Sequence, residues 1–224
     1  MLNNFITVLI IEITRFLVSN KNFFGSSQKD REKALDEVKF PTSVKNYLQA
    51  VSTEDFAKDT SSLIKYLKNA PVKLEENEFA KSICTFLVYN FSNDVYSFPL
   101  DYFKLNYSDQ IEAVNTVIKS NSALASTLKQ ILTDNSYQEI LNGIQNLAER
   151  SFNSPLVIIQ SPCEIDLETK KEIRDKVSDE TKKTCLPIFQ VNKNLIGGLR
   201  IFIDGKVADF SWMGRINLII TSLK

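Results

Sequence analysis

Glycine is distributed so unevenly along this chain that it constrains the fold before any motif is considered. Of the six glycines, only Gly25 and Gly143 precede residue 197, while Gly197, Gly198, Gly205 and Gly214 crowd into the last thirty residues. Tight hairpin turns need positive-φ positions, which glycine supplies at least cost. A stretch of about 150 residues almost without glycine is therefore poorly equipped for a β meander. Its apolar residues instead recur at helical spacing.

The clearest stripe is Tyr137, Ile140, Leu141, Ile144 and Leu147. Others are Phe56, Leu63, Ile64 and Leu67; Phe79, Ile83, Phe86 and Leu87; Ile111, Val114, Val117 and Ile118; and Leu124, Leu128, Ile131 and Leu132. Ser52, with Asp55 three residues on, reads as a capping box, and Ser108 as the cap of the Ile111 helix. Pro41, Pro71 and Pro99 fall between the runs, where helices start or stop. The N-terminal run from Phe5 to Ile11 is too short to span a bilayer and meets Glu12 and Arg15. It lacks a basic leader and a small-residue cleavage site, so it reads as an amphipathic helix from Phe5 to Val18 rather than a signal peptide. That helix packs into a bundle, with Phe5, Leu9 and Phe16 as the candidates to face a partner. Residues 1–150 are thus expected to form seven to nine short helices.

The pattern changes after the connector Ser151–Ser154. Leu156-Val157-Ile158-Ile159 reads as a buried strand, and Asp166 caps a helix with a narrow face at Ile173 and Val177. Leu186–Val191 reads as a second strand. Asp204-Gly205 between two apolar runs is a two-residue hairpin turn. It sets a register pairing Ile203 with Lys206, Phe202 with Val207, Ile201 with Ala208 and Arg200 with Asp209. Ser211 then caps a last helix whose apolar side is Trp212, Ile216, Ile219, Ile220 and Leu223. Trp212 and the fifteen phenylalanines read as core. The fold class is mainly α: a helical bundle over 1–150, followed by a small α/β domain with a β-hairpin over 155–224.

The composition removes several functions. There is no histidine, so Ser-His-Asp and Cys-His catalysis and most zinc sites are out of reach. Lys plus Arg and Asp plus Glu are 27 each. Neither half is polarised, with 16 basic and 18 acidic residues before residue 155 and 11 and 9 after it. A nucleic-acid partner needs a basic face and is not expected. Cys84, Cys163 and Cys185 are odd in number and widely spaced, which suits reduced thiols rather than a disulfide framework. Gly197-Gly198 is not a phosphate loop, because a strand rather than a helix follows it; the pair reads as a bend where backbone segments approach closely. Glu75-Glu76 and Asp179-Glu180 read as solvated pairs. No residue stands out as nucleophile or general base, and no cofactor or metal is expected.

One run carries more information than the rest. Leu195-Ile196-Gly197-Gly198, an apolar strand, the turn Asp204-Gly205, a second strand ending in Asp209-Phe210-Ser211, and Gly214-Arg215 resemble the C-terminal signature of the ATP synthase delta subunit. That family includes the mitochondrial oligomycin sensitivity-conferring protein. The preceding strand, helix and strand fall in the family's order, so the likeness covers about residues 155–224. Asn192 and Asn194 stand where the family usually has an aspartate, and the Tyr-Ala-x-Ala-Leu element of the family's first helix is not found. The resemblance implies a non-catalytic peripheral-stalk subunit of the F-type ATP synthase, on the cytoplasmic side of the membrane and not a homo-oligomer. Residues 1–150 would grip the N-terminal segments of alpha subunits on the catalytic head, and 155–224 would bind the b-subunit stalk. Two readings compete with it. One is a helical adaptor unrelated to ATP synthase. The other is a small enzyme using carboxylates or a thiol at Cys163 or Cys185.

Overall fold

Helix starts are written into this chain as short polar side chains. In the computed structural model, which describes residues 2–98, 100–155, 157–203, 206–212, 214 and 215, Ser27, Ser52, Asn77, Asn106, Ser122 and Asp166 each accept the backbone N–H three residues on. Each satisfies one of the donors a helix leaves free at its first turn. The helices are α1 (Leu2–Ser19), α2 (Gln28–Asp36), α3 (Thr42–Ala50), α4 (Thr53–Leu67), α5 (Glu78–Phe86), α6 (Ser92–Ser97), α7 (Tyr107–Val117), α8 (Ala123–Asp134) and α9 (Tyr137–Phe152). That makes nine α-helices among the described residues up to Phe152. A π-helical turn, Leu87–Phe91, joins α5 to α6. The cap of α7 is Asn106 and not Ser108: its side chain accepts from the N–H of Asp109, and Ser108 lies inside the first turn. Ser136 and Glu139 form a reciprocal box before α9, the Ser136 N–H donating to Glu139 Oε2 at 2.8 Å and the Glu139 N–H to Ser136 Oγ at 3.3 Å. The Ser136 hydroxyl, which donates to Glu139 Oε2 at 2.7 Å, and then the Ser136 N–H hold the Glu139 carboxyl below the usual carboxylate range.

The chain divides into two compact units, Met1–Phe152 and Asn153–Lys224. In the first, α1 packs on α8 and α4, α3 on α5, α5 on α9, and α7 on α8. Phe5, Leu9, Ile13, Leu48, Phe79 and Leu132 are fully buried there. Burying a side chain of this size contributes roughly 1.5–3 kcal/mol relative to exposure. Helix α1 has the length and apolar composition to cross a membrane. In this fold its stripe Leu2, Phe5, Ile6, Leu9, Ile13 and Phe16 faces the bundle core instead.

The second unit is built on β1 (Val157–Ser161), α10 (Leu167–Thr181), β2 (Ile188–Val191), β3 (Arg200–Ile203) and β4 (Lys206–Asp209). The sheet order is β2-β1-β3-β4. β1 and β2 are parallel, so α10 is the crossover between them; β3 and β4 are both antiparallel to their neighbours. The hairpin pairs Arg200 with Asp209, Ile201 with Ala208, Phe202 with Val207 and Ile203 with Lys206. Asp204, Gly205, Leu156, Ile216, Ile219, Ile220 and Leu223 lie outside the described residues. One sequence expectation is incomplete here and another needs correction. Ile173 and Val177 of α10 are half-buried, and the same face buries Lys170 and Arg174; long cationic side chains can lay their apolar stems on a sheet. Lys170 holds its ammonium 5.9 Å from the Phe189 ring centre. Trp212 is not core: it is 59% exposed.

Candidate partner-docking surfaces

The first surface is a groove between α1 and α8. Two clefts lie along it, one of about 380 Å³ and one of about 400 Å³. The first takes Glu12, Arg15 and Phe16 of α1 and Ala123 of α8; the second takes Phe5, Phe86, Ala125 and Leu128. Both are lined by Lys39, Phe40, Ser122 and Leu124. Because Phe5 shares a cleft with Leu128 and Phe16 shares one with Ala123, the two helices run antiparallel. The segment that brings Phe40 here is pinned at both ends. Arg31 of α2 donates from Nη1 to the carbonyls of Gln49 (3.2 Å) and Val51 (3.0 Å), and from Nη2 to that of Phe24. Pro41 then opens α3 from the N-cap position.

A second cleft, of about 620 Å³, lies among α3, α4 and α5. Its floor holds a buried carboxylate, Asp59, which accepts from Tyr47 Oη at 2.9 Å and from the Phe79 N–H at 3.3 Å. The Tyr47 and Phe79 rings stack with centres 5.1 Å apart. Burial and the neighbouring Asp59 push the Tyr47 hydroxyl far above its ordinary pKa, so it stays a donor. Asp59 is thereby fully employed in joining three helices.

The third surface belongs to the C-terminal unit. Ile196, Val207, Phe210 and Trp212 are each more than half exposed. The backbone beneath them is tightly specified. Gly197 and Gly198 have φ of +69° and +75°. A Cβ on Gly197 would meet Trp212 Cδ1 at 2.5 Å, and one on Gly198 would meet Ser211 Cα at 2.8 Å. At Gly214 it would meet the Asp209 carbonyl oxygen at 2.8 Å. Asp209 accepts from Arg200 Nη2 and from the Ser211 N–H, each at 2.9 Å, and the Gly214 N–H donates to Ser211 Oγ at 3.2 Å. The Ser211 bonds first, then Arg200, pull the Asp209 carboxyl down to about 2. Leu195 is buried beside this loop, and Arg215 lies 5.9 Å over the Trp212 ring. The sequence-quoted residues of this run that lie among the described residues, from Leu195 to Arg215, thus form one locally connected corner.

Residues 77–223 match the family model described as ATP synthase delta (OSCP) subunit, more than half of the chain. The chain belongs to this family. Curated relatives named ATP synthase subunit delta agree with it. The protein of Rickettsia conorii (strain ATCC VR-613 / Malish 7) is 27% identical over 126 residues, 54% of this chain and 68% of the relative. That of Rickettsia typhi (strain ATCC VR-144 / Wilmington) is 25% identical over 126 residues, 54% of this chain and 69% of the relative. As a member of the delta (OSCP) family the chain is a component of ATP synthase, the peripheral-stalk subunit of that membrane-associated complex. The unrelated-adaptor reading is not favoured.

Against this background the partner-facing candidates on α1 need correction. Phe5 and Leu9 are 0% exposed and Phe16 is 8% exposed. Helix α1 spends that stripe on the bundle core, because α8 and α4 cover it. Phe16 and Phe5 still form part of the walls of the two clefts, but the more exposed side chains there are Glu12 and Arg15 together with Phe40, which the sequence reading passed over. The signal available for Phe40 was an aromatic directly before the helix-opening Pro41. Trp212 and Phe210 were likewise assigned to the core because large aromatics usually belong there; the edge position of β4 leaves them outside. The thiols are divided, with Cys84 and Cys185 buried and Cys163 exposed. Burial raises the Cys84 thiol well above its ordinary pKa, so it is held as an unreactive core group.

Proposed function

We propose that the chain is the non-catalytic connector of an F-type ATP synthase, joining the alpha/beta head to the b-subunit stalk on the cytoplasmic side of the membrane. In this reading the helical unit receives an alpha N-terminal segment as an amphipathic helix in the α1–α8 groove. The C-terminal unit receives the end of b on its exposed apolar side chains, among them Ile196, Val207, Phe210 and Trp212. It works as one copy and uses no cofactor. Its task is mechanical: to hold the head against rotor torque. The observation that carries the reading is the division of exposed apolar surface between two separate units, one of them grooved, in a member of the delta (OSCP) family. Large apolar side chains left exposed in this way are candidate interaction sites.

The test is co-purification from detergent-solubilised membranes with the tagged full chain and two surface variants. Ala123 and Ile196 are both exposed, so Ala123→Arg and Ile196→Glu should fold normally. Ala123→Arg should lose alpha and beta while keeping b. Ile196→Glu should lose b while keeping alpha and beta. Loss of nothing in either variant, with the parent chain bound, would move the partner sites elsewhere.

A further inference from the structure

The two clefts of the α1–α8 groove share part of their lining. Lys39, Phe40, Ser122 and Leu124 are common to both. Ser122 and Leu124 belong to the groove wall supplied by the start of α8, whereas Lys39 and Phe40 come from the link between α2 and α3; of these two, Lys39 is exposed and Phe40 is half-buried. The lining residues on α1 run from Phe5 to Ser19, which at 1.5 Å per residue is about 21 Å, the length of a helix of about fourteen residues.

Phe40 is held as a fixed post. Its ring meets that of Phe16 edge to face, with centres 5.9 Å apart and planes at 85°, a favoured aromatic geometry. Before it, α2 is anchored by buried Leu35 and by the Arg31 guanidinium on backbone carbonyls of α3 and its end. After it, Pro41 locks the chain at φ −55° as α3 begins. A firmly held aromatic ring that lines both clefts excludes side chains by size, because packed interiors do not yield to added volume.

We infer that Phe40 is a specificity-determining residue of the docking groove. It admits only a helix that carries a small residue, glycine, alanine or serine, at the turn that crosses it, with larger apolar residues seated in the two clefts. This rests on the proposal that an alpha N-terminal helix occupies the groove. It adds a sequence requirement on that helix, set by residues that precede the family-matched region 77–223.

The experiment is a leucine scan of a fluorescein-labelled peptide. The peptide covers about the first 25 residues of the cognate alpha subunit, enough for a helix spanning the groove. It is titrated by anisotropy against the full chain and its Phe40→Ala and Phe40→Leu variants, each checked for unchanged helicity. With the parent chain, leucine at one inward position should weaken binding by about tenfold or more, and its neighbours should not. Phe40→Ala should bring that peptide back to within about threefold of the unmodified one, and Phe40→Leu should recover it in part. A scan with no sensitive position, or one that Phe40→Ala leaves unchanged, overturns the size-filter role while leaving the docking site intact. Tighter binding of every peptide to Phe40→Ala also overturns it, since that marks a displaced plug rather than a fixed post. Failure of the unmodified peptide to bind the parent chain removes the docking proposal itself, and this inference with it.

Discussion

The two units of this chain reach their folds by different routes. In Met1–Phe152 the information is spread thin. Apolar stripes at helical spacing and a polar cap at each start position the helices, and many sequences of the same pattern would serve. In Asn153–Lys224 it is concentrated at a few backbone positions. Gly197 and Gly198 must take positive φ, and Gly214 must let Asp209 come close. The family match begins only at residue 77, within the helical unit, although α1, α3 and α4 supply fully buried core residues such as Leu9, Leu48 and Leu63. A degenerate packing code can drift while the fold persists; a backbone constraint cannot. That is why the motif legible by eye lies in the C-terminal unit, while the family match also takes in residues 77–152 of the helical unit.

Mutations can sharpen this contrast. The sole tryptophan, Trp212, reports on the C-terminal unit by fluorescence, while far-ultraviolet circular dichroism is dominated by the bundle. The largest effect should come from volume in the bundle. Ile144→Ala at a fully buried site should cost about 2–5 kcal/mol in urea unfolding, whereas Ile144→Leu should cost under about 1.5 kcal/mol. Next is a single added methyl at Gly198. Gly198→Ala should destabilise the C-terminal unit by about 1–3 kcal/mol through its positive φ and its contact with Ser211. It should shift the fluorescence midpoint and leave the dichroism midpoint in place. If Gly198→Ala proved as mild as Ile144→Leu, the contrast between the units would fail. A cap should matter less: Ser136→Ala should lower bundle stability by about 1 kcal/mol.

The smallest effect is best read as a pH profile. The folded Asp209 carboxyl sits at about 2, below the ordinary aspartate value of about 3.9 in an unfolded chain. A depressed folded pKa means that the unfolded state binds the proton more readily. The stability that Asp209 supplies is therefore present in full above about pH 4 and is lost as pH falls from there through about 2. The fluorescence midpoint of Asp209→Asn should change less over that window than that of the parent. Parallel profiles would show that Asp209 does not anchor the corner.

Much of this was legible beforehand because local rules and global fold agree. The hairpin register followed from Asp204-Gly205 and from alternation, and the Arg200–Asp209 pair came with it. Ser52 and Asp166 were readable as caps because each stands directly before the first residue of its helix. Asn106 was missed because Ser108, two residues on, offers the same chemistry. The docking surfaces were far less legible. Periodicity marks which face of a helix is apolar but not which neighbour covers it, so the α1 stripe was offered to a partner when α8 had already taken it. Phe40 and Trp212 are single aromatics whose exposure depends on contacts distant in sequence, which no local pattern records.

The account's central claim is that this chain bridges head and stalk, and retention of the head on membranes tests it most directly. Membranes stripped of this subunit should release the alpha/beta head into the supernatant on sedimentation. Adding back the full chain should return the head to the pellet, and neither Ala123→Arg nor Ile196→Glu should do so. If the head rebinds equally well without the chain, the connector role is contradicted.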